Sequence, residues 1–130
     1  MEIHGWRTFV HPLFERQLER LTRQVERLEV RDPKGYAAHP AAKLLATVNY
    51  LIREAIPLDP DRAEWRASGY WLAARFHSRY RLFYRIARER RTIVYFWLRN
   101  DHNLRGGPFG AFRAMLESGA EAEILRLRTR

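Results

Sequence analysis

The side chains best suited to handling a charged substrate are arginines at alternating positions in one stretch, Arg75, Arg79, Arg81 and Arg85, with His77 and Phe83 among them. Residues 71–77, 80–87 and 92–99 are rich in aromatic and β-branched types and are joined by short polar links, which predicts three strands in an antiparallel meander. On a strand, residues two apart share a face. Arg79, Arg81, Phe83 and Arg85 therefore point one way, and Tyr80, Leu82, Tyr84 and Ile86 the other. In the preceding strand Arg75 and His77 lie opposite Leu72, Ala74 and Phe76, so a hairpin brings Arg75, His77, Arg81 and Arg85 to one surface. That surface suits an RNA strand, with cations for phosphates and a ring for stacked bases. The same pattern fits an exposed sheet face whose arginines discourage edge pairing.

A second cluster, Arg99-Asn100-Asp101-His102-Asn103-Leu104-Arg105, follows directly on Trp97-Leu98 and precedes Gly106-Gly107-Pro108. Polar residues at a strand end make a binding or catalytic loop on a rigid support, or a plain turn, since Asn, Asp and Gly are what turns use. Rival chemistries have little support. No Gly-rich phosphate loop follows a strand, and the HxxxH and HExxH spacings are absent. His4, His11 and His39 lie near proline or the chain start and read as turn or capping residues. A metal centre would have to be assembled from His77, Asp101 and His102, which no motif supports, so neither metal nor cofactor is expected.

Composition narrows the partners. Lys and Arg total 24 against 15 Asp and Glu, a formal +9, and the only lysines are Lys34 and Lys43. Arginine's planar fork bonds phosphate at two points and stacks on bases, so the bias favours nucleic acid over a merely solvated basic surface or an acidic protein partner. With no cysteine in 130 residues, disulfides, thiolate metal sites and thiol nucleophiles are excluded, which suits a reducing compartment. No apolar run approaches the roughly 20 residues that cross a bilayer, and residues 1–6 lack the order of a secretion signal. No membrane association and a cytoplasmic location are expected.

Two helices must support this sheet. After a short strand at 7–10, His11-Pro12 opens the first, with Phe14, Leu18, Leu21, Val25 and Leu28 in one stripe and charged residues on the other faces. Asp32-Pro33 and Gly35 end it. His39-Pro40 opens the second, whose apolar face runs from Ala41 through Leu44, Leu45, Val48, Leu51, Ile52 and Ala55 to a stop at Pro57. The short link predicts an antiparallel helical hairpin. Residues 99–107 read as loop, 109–116 as a short helix and 121–129 as a further helical tail. The whole is expected to be one α+β domain over 1–130, in two layers, with the helices on one face of an antiparallel sheet.

These segments resemble the YhaV family of type II toxins, a branch of the RelE-like ribonucleases. The likeness runs through Gly5-Trp6, His11-Pro12-Leu13-Phe14, Asp32-Pro33-Lys34-Gly35-Tyr36, Lys43-Leu44-Leu45-Ala46, Ile56-Pro57-Leu58-Asp59-Pro60 and Trp65-Arg66. It continues through Arg75-Phe76, Tyr80-Arg81-Leu82-Phe83-Tyr84-Arg85, Ile93-Val94-Tyr95-Phe96-Trp97, Asn100-Asp101, Leu104-Arg105 and Phe112-Arg113-Ala114-Met115-Leu116, covering about residues 5 to 116. It departs after Asn100-Asp101, where relatives usually carry an acidic residue and a longer gap. It departs again after Leu104-Arg105, where Gly106-Gly107-Pro108-Phe109-Gly110 replaces a stretch that usually holds two tyrosines.

The resemblance implies a RelE-like fold with a C-terminal helix. It implies a toxin that cuts messenger RNA, free or on the ribosome, arrests growth and is neutralised by an antitoxin of the AbrB-like, PrlF type. The implied chemistry is attack by the RNA 2′-hydroxyl on the neighbouring phosphorus without a metal. Arg81 and Arg105 are then the candidates for stabilising transition-state charge, and His77 and His102 for proton transfer. Arg75, Arg79, Arg85, Phe83, Asn100, Asp101 and Asn103 are the candidates for holding RNA. A RelE-like module that binds RNA, the ribosome or an antitoxin without cutting is the alternative.

Overall fold

The computed structural model describes residues 1–67, 69, 71–100 and 128–129. Strand β1 (Glu2–Ile3) turns through His4 and Gly5, both at positive φ, into β2 (Trp6–Val10). His11 then caps α1 (Pro12–Arg31): its Nδ1 accepts the Leu13 N–H at 3.1 Å, and Pro12 sits in the first turn, where its missing donor costs nothing. The expected stripe faces inward, with Phe14, Leu18, Leu21 and Val25 buried. His39 repeats the device, its Nδ1 accepting the Ala41 N–H at 3.1 Å at the start of α2 (Pro40–Tyr50). The histidines beside prolines are caps, and His4 is a turn residue.

The second helical stretch departs from a single α-helix. It widens into a π turn over Leu51–Ala55 and closes with α3 (Ile56–Leu58), so it ends one residue past Pro57. Tyr95 Oη donates to the Ile52 carbonyl inside the π turn at 3.4 Å. Helices α1 and α2 touch through Leu21, Val25 and Ala41, with Leu28, Leu44 and Leu45 packed around them. Among the described residues no helix is long and apolar enough to cross a membrane.

Strands β3 (Leu72–Phe76), β4 (Tyr80–Ala87) and β5 (Thr92–Asn100) form the expected antiparallel meander. The expectation of a wholly antiparallel sheet is corrected, because β2 runs parallel to β5, from Arg7 opposite Thr92 to Val10 opposite Tyr95. Parallel neighbours need a long crossover, and the helices between β2 and the meander supply it. The sheet order is β1-β2-β5-β4-β3.

The helix-facing core joins Phe14, Leu18, Val48, Ile52 and Ile56 to Val10, Leu72, Ala74, Leu82, Tyr84, Ile93 and Tyr95 of the sheet. A separate cluster, Ala73, Phe83, Val94, Phe96 and Trp97, is buried on the opposite face.

The helix expected at 109–116 lies outside the described residues. Of the tail expected to be helical, Arg128–Thr129 is instead a strand, β6, paired antiparallel with Val10 and Phe9. The reason is an open edge: β1 covers β2 only at Trp6 and Arg7.

Candidate active site

The alternation expected for β4 places Leu82 and Tyr84 against the helices and Arg81, Phe83 and Arg85 on the far face. On that face the register aligns residues across three strands. Arg75 of β3 lies opposite Arg81 of β4, which lies opposite Arg99 of β5. In the next row Ala73 faces Phe83, which faces Trp97. Paired residues in adjacent strands hold their Cβ atoms about 5 Å apart, so the arginine row spans about 10 Å and borders an aromatic floor. Phe83 and Trp97 are both buried.

The guanidinium groups are held by the rings. Arg99 lies 5.3 Å from the Phe83 ring centroid, and Arg85 lies 5.4 Å from that of Trp71. Such contacts contribute roughly 0.5–1 kcal/mol at exposed sites and restrain the side chain without neutralising it. Arg81 is half-buried, with its Nε shielded from solvent. Like charges set directly opposite on neighbouring strands repel. The arginine fork suits phosphate oxygens.

Arg99 was not singled out for this surface from the sequence, and a bulge explains why. Phe83 faces Trp97 but Tyr84 faces Tyr95, leaving Phe96 as the extra residue of β5. The bulge resets the alternation. Tyr95 and Ile93 face the helices, while Trp97 and Arg99 join the arginine side.

Where β2 ends and the chain leaves for α1, the backbone of β5 finds another partner in Gln17. The side-chain amide donates to the Leu98 carbonyl and accepts the Leu98 N–H, both at 2.8 Å. This bond pair anchors the segment that carries Trp97 and Arg99.

His77 does not join the arginine face. Strand β3 ends at Phe76, and His77 and Ser78 both take left-handed backbone, φ 49° and 59°. The turn sends the imidazole to the helix side, where Nε2 lies 2.9 Å from Thr47 Oγ1 of α2. Arg79 folds over the Tyr80 ring at 5.2 Å and donates to its hydroxyl at 3.2 Å. Asn100 ends β5 opposite Tyr80, in the row that faces the helices. Asp101, His102, Asn103 and Arg105 lie outside the described residues. Of the candidates, Arg75, Arg81, Arg85 and Phe83 come together, and Arg99, Trp97 and Trp71 are added to them.

Other arginines have structural work. Arg88 bonds Asp61 through Nε at 3.0 Å, Arg91 lies 4.8 Å from the Trp6 ring, and Arg62 lies 4.4 Å from that of Trp65. The buried tyrosines are not proton carriers either. Burial raises the phenol of Tyr84 far above its ordinary range, with Asp61 adding to the shift, and burial does the same to Tyr95. The Tyr84 hydroxyl donates to the Pro60 carbonyl at 2.6 Å. Among the described residues no group of His, Asp and Glu side chains forms a metal site.

An α+β fold that carries a row of arginines across three strands of its sheet belongs to a basic protein whose side chains are suited to holding phosphate. The comparisons make this specific. The model of the YhaV toxin family, described as a toxin with endonuclease activity, of a toxin–antitoxin system, matches residues 8–126. The chain is 33% identical over 131 residues to the ribonuclease toxin YhaV of Escherichia coli strain K12, covering 90% of this chain and 85% of that protein. The toxin YhaV of Escherichia coli O157:H7 gives the same identity and coverage. No solved structure matches. The chain belongs to the YhaV toxin family: it is a toxin with endonuclease activity, of a toxin–antitoxin system.

Proposed function

We propose that the face bearing Arg75, Arg81 and Arg99 is the catalytic surface, and that it cuts messenger RNA by attack of a 2′-hydroxyl on the adjacent phosphorus without a metal. The observation that carries this is the single cross-strand row of three arginines beside Phe83 and Trp97. The 2′-oxygen forms a bond to phosphorus as the bond to the 5′-oxygen breaks. The products are a 2′,3′-cyclic phosphate and a free 5′-hydroxyl, with one proton passed from the first oxygen to the second. Arg81, central in the row, stabilises the negative charge that builds on the phosphate in the transition state. Arg75 and Arg99 hold the flanking phosphates.

Proton transfer falls to His102 rather than His77, because His77 faces α2. Arg105 adds a further cation from the same loop. In the RelE-like arrangement α1 and α2 form a hairpin on one side of the sheet, and RNA, free or on the ribosome, meets the arginine row on the other. The antitoxin is of the AbrB-like, PrlF type, with an acidic tail that covers the same arginines.

The test is the chemistry of the cut ends. RNA cleaved in the presence of EDTA should carry 5′-hydroxyls, which polynucleotide kinase labels without prior phosphatase treatment. Products with 5′-phosphates, or cleavage abolished by the chelator, contradict the reading.

A further inference from the structure

A groove on the other side of the β3–β4 hairpin is not used by the arginine row. Its volume is about 560 Å³, within the range of small-molecule sites. One wall is Pro40, Lys43 and Leu44 of α2; the other is His77, Arg79 and Tyr80 at the hairpin turn. Among the described residues no acidic side chain lines it. Among the described residues neither Lys43 nor Arg79 is paired with a carboxylate, in contrast to Arg62, Arg66 and Arg88. Lys43 and Arg79 are exposed. The turn between the walls is held in an unfavourable conformation, with His77 and Ser78 both left-handed and neither a glycine. Residues so placed cluster at functional sites. The turn is held to α2 by the His77 imidazole, whose Nε2 lies 2.9 Å from Thr47 Oγ1.

The hairpin turn separates this groove from the arginine row. Arg75 and Arg81 are the last outward-facing pair before it, Arg79 is in the turn, and Lys43 stands across from it on α2. We propose that the groove is a second RNA subsite, which takes backbone phosphates of the strand after it has crossed the arginine row and bent round the turn. Lys43 and Arg79 bind these phosphates. The inference rests on the assignment of the row to RNA. It adds a cationic path that continues past the cut bond, so long substrates gain contacts that short ones lack.

The experiment measures binding of 2′-O-methyl RNA, which cannot be cut, in oligonucleotides of about four and about twelve nucleotides, within known site sizes. Fluorescence anisotropy follows affinity across a salt series. Each phosphate contact on a single strand contributes about 0.7 to the slope of log affinity against log salt. Wild type should show a steeper slope for the longer oligonucleotide, and Lys43→Ala/Arg79→Ala should lower that slope by about 1.4, removing the difference between lengths. Arg81→Ala should weaken both lengths.

If the double variant keeps the wild-type slope on the longer RNA while Arg81→Ala weakens both, the groove inference fails and the row stands. If Arg81→Ala binds both lengths like wild type, the row assignment fails and the path into the groove fails with it. Loss of poly-glutamate binding alone in the double variant, with both RNAs held as by wild type, would assign the groove to an acidic peptide and overturn the proposal.

Discussion

Arg81 of β4 lies directly opposite Arg99 of β5, two cations facing each other where sheets ordinarily set unlike charges or apolar pairs. With Arg75 on the other flank the row is continuous across three strands. Three planar forks in one row match the repeated oxygens of a phosphate backbone. Fixed cations placed in advance need not reorganise when charge builds on a phosphate.

The geometry of the fork, beyond its charge, should matter at Arg81. Arg81→Lys keeps the cation but loses two-point contact with phosphate oxygens. Cleavage should fall at least about tenfold, equivalent to about 1.4 kcal/mol of transition-state stabilisation. Single-turnover rates check this, and a lysine variant as fast as wild type would reduce Arg81 to a point charge.

Gln17 should prove to be a positioning residue. Gln17→Ala removes both bonds to Leu98, and two such bonds are worth about 1–3 kcal/mol together. Urea unfolding should show that loss with an unchanged m value. Cleavage should fall further than Leu98-side stability explains, because Trp97 and Arg99 lose their anchor. Full activity in a destabilised variant would make Gln17 purely structural.

His11 is both cap and core. It is 5% exposed and stacks on Phe96 with centroids 5.2 Å apart. His11→Ala should cost about 1 kcal/mol for the cap and about 1 for the stack. His11→Asn should recover most of the first part, read as a shift in the urea midpoint.

The buried phenols set an alkaline limit. Tyr84 and Tyr95 have folded-state pKa values raised above the unfolded value of about 10. Their contribution is therefore fully present below about pH 10 and is lost as the pH climbs above it toward the raised values. Tyr84→Phe should cost about 1 kcal/mol near neutrality through the Pro60 bond, and its stability should then fall less steeply above pH 10. Urea midpoints between neutrality and strong alkali would show equal slopes if Tyr84 were not involved.

Much of this structure was legible in the residues. The pairs His11-Pro12 and His39-Pro40 announced helix starts because proline fits the first turn and the preceding imidazole accepts an N–H. Strict alternation in β4 separated Arg81, Phe83 and Arg85 from Leu82 and Tyr84, since a strand has no other period. What was illegible depends on partners distant in sequence or on backbone torsions. The parallel pairing of β2 with β5 is set by the helical crossover. The bulge at Phe96 reverses the faces of β5 and brings Arg99 into the row. Left-handed backbone at His77 and Ser78, a torsion that residue type alone does not fix, turns the imidazole to Thr47. The π turn at Leu51–Ala55 likewise has no signature in its residue types.

The most direct test of the arginine row is induced expression of the toxin in a bacterium, with primer extension on a reporter messenger. Arg81→Ala is compared with wild type and with Arg23→Ala, an exposed arginine on α1 far from the row in sequence. The row predicts growth arrest and new 5′ ends for wild type and Arg23→Ala. For folded Arg81→Ala it predicts cleavage reduced by about 10²-fold or more, the usual loss when one transition-state donor is removed. Arrest and cut ends from Arg81→Ala at wild-type levels would contradict it.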